Sequence, residues 1–389
     1  MASANIVNAD HVDDVITAQM KERQIPGLAL AVIEGGKIVR EQGYGFRDEG
    51  RTEPITPATL FQAASVSKPV AALGALHLVE QGRLSLDEDI NSALRSWRIP
   101  GNRFTKTHPV TLRLILSHSA GLTVEGFPGY RVGSPIPSLL QILDGRPPTN
   151  TPPVRVDQIP GSKWRYSGGG YLVMQQMMID VTGRSFADYM QDAVLRPLGM
   201  SSSTFAQPLP KSLARRAATG FASGPRRAVE GQWRIKPELA AGGLWTTAGD
   251  LARFLLGIQR SLAGTSNPVI SQSMMRQMLT KQKEDSGLGF FLGGDPPRFG
   301  HNGSNPGFDA VTVALCDTGD GAVILMNGNT DIEVLKNILV EAIADQYHWP
   351  GHPKTTLIVD PAFEHFGTGT RQTVSYRTWS VAFRKFWLK

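Results

Sequence analysis

The chain of 389 residues contains a single cysteine, Cys316, so an intramolecular disulfide is impossible and a cysteine-built zinc site is excluded. Its eight histidines are scattered without metal-ligand spacing. No apolar run approaches the roughly 20 residues needed to span a bilayer. The first twenty residues carry Asp10, Asp13 and Asp14 and lack the apolar core of a secretory signal. The chain as given is therefore expected in the cytoplasm, or in the periplasm if a leader has been trimmed from it. Lys and Arg total 40 against 34 Asp and Glu, a net charge of +6, and no basic block stands out. That argues against a nucleic-acid partner, whose binding concentrates charge in a patch. There is no P-loop, no G-x-G-x-x-G after a strand, no H-E-x-x-H and no G-x-S-x-G elbow. The nearest approach to the elbow, Ser117-His-Ser119-Ala-Gly121, lacks the leading glycine. Nucleotide chemistry and metallohydrolysis lose their usual signatures, and no cofactor or metal is expected.

What is present is a globular pattern that changes period along the chain. Residues 4–23 read as a helix, with Val12, Val15, Ile16 and Met20 near a 3.6-residue period. Apolar runs at 27–33 and 37–43 flank Gly35-Gly36 and read as a β-hairpin. Residues 66–81 form a helix that stops at Gly82. From 84 to about 209 the chain consists of helical segments and Pro/Gly-rich connectors, with 131–160 read as one long ordered loop. Helices follow at 248–262 and 271–282, then short glycine-punctuated strands at 287–292, 298–302, 308–317 and 321–327, and a closing helix at 332–347. Strands at both ends with helices between predict an α+β fold. Its antiparallel sheet, flanked by helices, is built from both chain ends and interrupted by a mostly helical insertion. The expected boundaries are 1–78 and 212–350 for the two parts of the α/β domain and 79–211 for the helical one. Residues 351–389 form an unassigned C-terminal extension.

Three motifs carry chemistry. Ser65-Val-Ser67-Lys68 stands at a helix N-terminus, where positions i and i+3 share a face, so the Ser65 hydroxyl and Lys68 amine approach each other. A free serine is a poor nucleophile and needs a base; a lysine serves only if desolvation or a second cation lowers its pKa. Alone, this spacing equally fits a capped buried helix with a snorkelling lysine. In Tyr166-Ser-Gly168-Gly-Gly-Tyr171, a tyrosine able to relay protons precedes glycines that permit close approach. A tight loop with a packed tyrosine fits it too. In Phe299-Gly-His301-Asn-Gly303-Ser304, Gly303 would let a substrate lie along a strand edge, and His301 would donate to a substrate carboxylate or to Tyr166. A solvated turn histidine is the plainer alternative.

Taken in order, these motifs resemble the serine β-lactamase and penicillin-binding-protein superfamily. The likeness is to its class C-like branch of family VIII esterases, D-aminopeptidases and DD-peptidases. The segments 111–122 and 240–250 resemble the branch as well, and the likeness covers about residues 10–350. The resemblance implies an acyl-enzyme on Ser65, with Lys68 and Tyr166 as the proton relay, His301 in the position of the K-T-G lysine, and an oxyanion hole of the Ser65 and Ser304 amides. Gly168, Asn302 and Gly303 are implied substrate contacts. Two departures turn the expectation from β-lactams toward short-chain esters. Gly168 replaces the asparagine of Y-x-N, and His301 replaces the lysine. Restoring asparagine at 168 is then expected to raise β-lactam turnover. The substrate is expected to be a small ester, amide or β-lactam; D-amino-acid peptide hydrolysis, β-lactam hydrolysis and a non-catalytic binder are the alternatives. Ser119 and Ser167 stand next in line as nucleophile.

Overall fold

Seven successive buried residues, Gly27 to Ile33, make a strand that must be covered on both faces. The computed structural model, which describes residues 11–222 and 227–351, shows how this is done. In chain order the elements that matter are α1 (His11–Glu22), β1 (Gly27–Glu34), β2 (Lys37–Gly45), α2 (Ser67–Glu80), α3 (Gly168–Thr182), α4 (Ala248–Ala263), β3 (Phe291–Gly293), β4 (Arg298–Asn305), β5 (Phe308–Leu315), β6 (Gly321–Met326) and α5 (Ile332–Gln346). The six strands form one antiparallel sheet in the order β2-β1-β6-β5-β4-β3. The N-terminal hairpin joins the C-terminal strands where β1 pairs β6, with Leu30 opposite Ile324. The α+β sheet built from both chain ends is thus present.

Alternation along β1 assigns its two faces. Leu28, Leu30 and Val32 share a core with Val12 and Ile16 of α1 and with Leu335, Leu339 and Ile343 of α5. Ala29, Ala31 and Ile33 face the opposite layer, whose core holds Leu251 and Leu255 of α4 and most of α2. From Ser67 to Leu76 every residue of α2 is buried, as expected of a helix apolar all round. The stretch between α2 and α4 packs α3 against α2, and four helices there start on a serine or threonine cap: Thr111, Ser138, Ser167 and Ser185.

Three sequence expectations change. The strand expected at 287–292 shrinks to the three residues of β3. Gly289, at φ +106°, passes so close to α2 that a Cβ there would lie 2.7 Å from Ala72 Cβ, and the chain packs over the helix instead of extending. The helix expected at 271–282 ends at Met278. The loop at 131–160 contains a helix, Leu139–Asp144, with a capping box from Ser138 and Gln141. Residues 4–10 of the expected first helix, and 352–389 of the tail, lie outside the described residues. No helix among the described residues is long and apolar enough to cross a membrane.

Buried Asp250 ties α4 to the insertion: its carboxylate accepts from the Ser202 amide and the Ser203 hydroxyl, both at 2.8 Å. Asp250→Ala leaves both donors without their acceptor in a buried place. It should lower unfolding free energy by roughly 2–4 kcal/mol, read as a fall in the urea midpoint.

Candidate active site

Ser65 lies in a single 3₁₀ turn, Ala64–Val66, that leads into α2. Ala64 holds φ +47°, a conformation rare for a residue with a side chain, and β4 presses on this turn. A Cβ on Gly303 would lie 2.6 Å from both the Ser65 amide nitrogen and the Ala63 carbonyl oxygen. Only glycine lets the strand edge reach the Ser65 turn.

Lys68 is 2% exposed. Its Nζ lies 2.9 Å from Ser65 Oγ and donates to the Ala241 carbonyl at 2.8 Å. Burial, assisted by the nearby Lys236 cation and opposed by Glu125, holds its pKa well below the usual lysine value. In the neutral amine the serine contact reverses, the hydroxyl donating to the nitrogen lone pair. The Tyr166 ring centroid is 4.8 Å from Nζ, and its hydroxyl hydrogen-bonds the Ser65 side chain. Burial raises the Tyr166 pKa, with the Ser65 bond pulling the other way. The same desolvation thus favours a neutral amine and a neutral phenol on the two sides of the serine.

His301 is buried, and Nδ1 lies 2.5 Å from the Asn302 carbonyl, a contact that requires the proton on Nδ1. Nε2 is then an acceptor, and it is buried with no partner among the described residues. Burial first, then Lys68, draws the pKa down to about 3. A neutral ring with the proton on Nδ1 offers a carboxylate no donor at Nε2, which runs against the expected role. The rings of Tyr166 and His301 stand 6.3 Å apart, and Phe291 of β3 lies 5.0 Å from His301 and 6.5 Å from Tyr166.

Alternation along β4 decides the remaining candidates. Asn302 points to the other face, donating to Glu333 of α5 at 2.7 Å, so its side chain is not a substrate contact. The Ser304 hydroxyl accepts from Asn329 at 3.2 Å, leaving its backbone as the part available to the site. At the start of α3, the Gly168 and Gly169 amides donate to the carbonyls of Glu125 and Val124 at 3.0 and 2.9 Å. A Cβ on Gly168 would lie 2.8 Å from the Glu125 carbonyl oxygen and 2.9 Å from Phe127 Cε2. Asparagine does not fit there, so restoring it is expected to lower activity, the reverse of the sequence expectation. The reserve nucleophiles are engaged elsewhere. Ser119 Oγ sits 2.9 Å from Ser117 Oγ, and Ser167 Oγ donates to Thr123 and caps Gly170.

Several site residues escaped the sequence reading. His118 is buried with its ring 4.3 Å from Tyr166, and Nδ1 accepts from the Ser167 amide at 3.2 Å, fixing the start of α3. Lys236, 2% exposed, donates to the Phe127 carbonyl at 2.5 Å. Glu238 is fully buried, and its carboxylate oxygens have no hydrogen-bond partner among the described residues. The only available signal was that 111–122 and 240–250 look like family segments; His118 and Ala241 fall within them.

The fold and this Ser–Lys–Tyr constellation define a member of the β-lactamase and transpeptidase-like superfamily. The chain matches the Beta-lactamase family over residues 12–345 and belongs to it. It is similar to Protein flp of Staphylococcus aureus strain N315, with 23% identity over 336 residues, 82% of this chain and 63% of that one. The chain therefore spans less than two thirds of that relative's length. It is also similar to the putative penicillin-binding protein PbpX of Bacillus subtilis strain 168, 23% identical over 80% of this chain and 73% of that one. Among solved structures, the octameric penicillin-binding protein homologue from Pyrococcus abyssi has a TM-score of 0.71 at 24% identity, covering 87% of this chain and 77% of its own. The D-amino acid amidase from Ochrobactrum anthropi SV3, complexed with L-phenylalanine amide, has a TM-score of 0.66 at 20% identity, covering 86% and 98%.

Besides Tyr166 and Tyr171, whose rings lie 4.8 and 5.7 Å from Nζ, four charged or titratable groups act on Lys68 or share its pocket: Lys236, Glu125, His118 and His301. Removing the like charge in Lys236→Met lets Lys68 bind its proton more tightly. The acidic limb of the kcat/KM profile should then move to higher pH. A limb that stays in place would show that Lys236 does not act on the base.

Proposed function

We propose that the protein is a serine hydrolase that turns over short-chain carboxylic esters through an acyl-enzyme on Ser65, with weak or no β-lactamase activity. The observation that carries this reading is the desolvated Lys68 amine 2.9 Å from Ser65 Oγ. Neutral Lys68 takes the hydroxyl proton as Oγ attacks the ester carbonyl. The oxyanion forms between the amides of Ser65 and Ser304, donors of a kind worth roughly 3–4 kcal/mol each in other enzymes. Tyr166 gives its proton to the departing alkoxide and is reprotonated from Lys68. Water then attacks the acyl-enzyme with the relay running in reverse. His301 Nε2 accepts a hydrogen bond from the bound substrate or from that water. β-Lactams are disfavoured because no side-chain amide stands at position 168 to meet their acylamino group.

A second reading, hydrolysis of amino-acid amides or D-amino-acid peptides, is favoured by Glu125. This carboxyl sits at the rim, raised by partial desolvation and lowered by Lys68, where it suits a substrate ammonium. One solved relative is a D-amino acid amidase. Glu125→Gln separates the two readings. A loss confined to amino-acid p-nitroanilides supports the amidase, and equal effects on p-nitrophenyl esters support the esterase.

Ser65→Ala should lower kcat by at least roughly a thousandfold with an unchanged circular dichroism spectrum. Lys68→Ala should be nearly as severe, and the double variant no worse, because members of one relay act as a unit. Mass spectrometry after a fluorophosphonate should place one adduct on Ser65. Absence of an adduct would leave a non-catalytic binding protein as the better reading.

A further inference from the structure

The segment facing Lys68 and Tyr166 from the α3 side is held more firmly than an ordinary loop. Val124 adopts φ +65°, a strained conformation for a β-branched residue. Two otherwise orphaned amides at the start of α3 hold it there, donating from Gly169 to the Val124 carbonyl and from Gly168 to the Glu125 carbonyl. Two residues on, the Phe127 carbonyl accepts from the buried Lys236 ammonium at 2.5 Å. Lys236 runs past Gly129 (φ +72°), where any Cβ would lie 2.9 Å from its Cδ. The loop is thus fastened at three points. The result is that the Phe127 ring occupies the volume a side chain at 168 would take, with its edge 2.9 Å from that Cβ position, and remains partly exposed.

We propose that Phe127, fastened by Lys236, is the wall that limits the length of the acyl group admitted to Ser65. This rests on the acyl-enzyme reading given above. An ester whose carbonyl sits over Ser65 has two substituents to place. The leaving oxygen must meet the Tyr166 hydroxyl, so the alcohol part lies toward the rings of His301 and Phe291. The acyl part is left to the opposite side, formed by Glu125 and Phe127 at the start of α3. There a planar ring, carried on a backbone that Lys236 fastens at the Phe127 carbonyl, does not yield to added methylenes.

The test compares kcat/KM for p-nitrophenyl acetate, butyrate and octanoate in the wild type, Phe127→Leu, Phe127→Ala and Lys236→Met, normalised to active enzyme by fluorophosphonate titration. The octanoate-to-acetate ratio should rise about tenfold or more in Phe127→Ala, the order of discrimination an apolar pocket achieves per methylene or two. Phe127→Leu should rise less and keeps the test intact if the alanine variant does not fold. Lys236→Met should shift the ratio in the same direction by a smaller factor; no shift there overturns the fastening role. A 1-naphthyl against phenyl acetate series should show no matching change. An unchanged acyl ratio in active Phe127 variants, or a shift in the leaving-group series instead, overturns the proposal. A wild type that hydrolyses no ester and takes no label overturns the acyl-enzyme reading itself, and the acyl wall falls with it.

Discussion

The contact between Lys68 and Ser65 can pass a proton only where the lysine is dry. An exposed lysine at the same spacing would be a cation and could accept no proton, so the whole architecture around α2 bears on this one amine. A helix apolar on every side is buried between the sheet and α3, and Lys68 enters the core with it. Its one backbone acceptor, Ala241, comes from the short helix Leu239–Gly242, which Gln175 of α3 holds by its contacts with Pro237 and Ala240. Desolvation then acts two ways at once, lowering the pKa of the Lys68 amine and raising that of the Tyr166 phenol.

Three chain segments converge on the Ser65 site, and two of them do so through glycine. β4 seats Gly303 on the Ser65 turn, and α3 begins with glycines whose amides grip the Val124 and Glu125 carbonyls. A side chain at either place would hold backbones apart by more than the chemistry tolerates. Placing glycine at these seats gives rigidity here, since each contact is backbone on backbone with no rotamer to adjust.

How much of this was legible in sequence follows from range. Ser65 and Lys68 are three residues apart on one helix, so local geometry brings them together, and the apolar runs of β1 and β6 announce strands covered on both faces. The order of the motifs located Tyr166 and His301. Sequence did not disclose charge states: whether His301 is a donor to a carboxylate or a neutral acceptor depends on its burial and on the Asn302 carbonyl beside Nδ1. Nor did it disclose contacts across long loops. Phe127 and Lys236 are 109 positions apart, in segments without periodicity, and neither has a motif of its own. Asn302 failed for the opposite reason, because its place on β4 by alternation sends it to Glu333, which a motif read as a string does not encode.

The buried Lys236 and Glu238 show how the same desolvation serves folding poorly and catalysis well. Burial lowers the Lys236 pKa and raises that of Glu238, each group working against its own charge. Burying such groups without full hydrogen bonding destabilises a fold, and Glu238 has no hydrogen-bond partner among the described residues. An ionised Glu238 would largely neutralise Lys236 as seen from Lys68. A protonated Glu238 leaves the Lys236 cation uncompensated, held on the Phe127 carbonyl and acting on Lys68. Burial favours the neutral form of both groups, while the charge on each favours the charge on the other. The environment that makes the pair costly to fold thus decides how much of a like charge Lys68 meets, since Lys236 as a cation lowers the Lys68 pKa. With no lysine at position 301, the second cation of the site comes from a segment where the family motifs do not point.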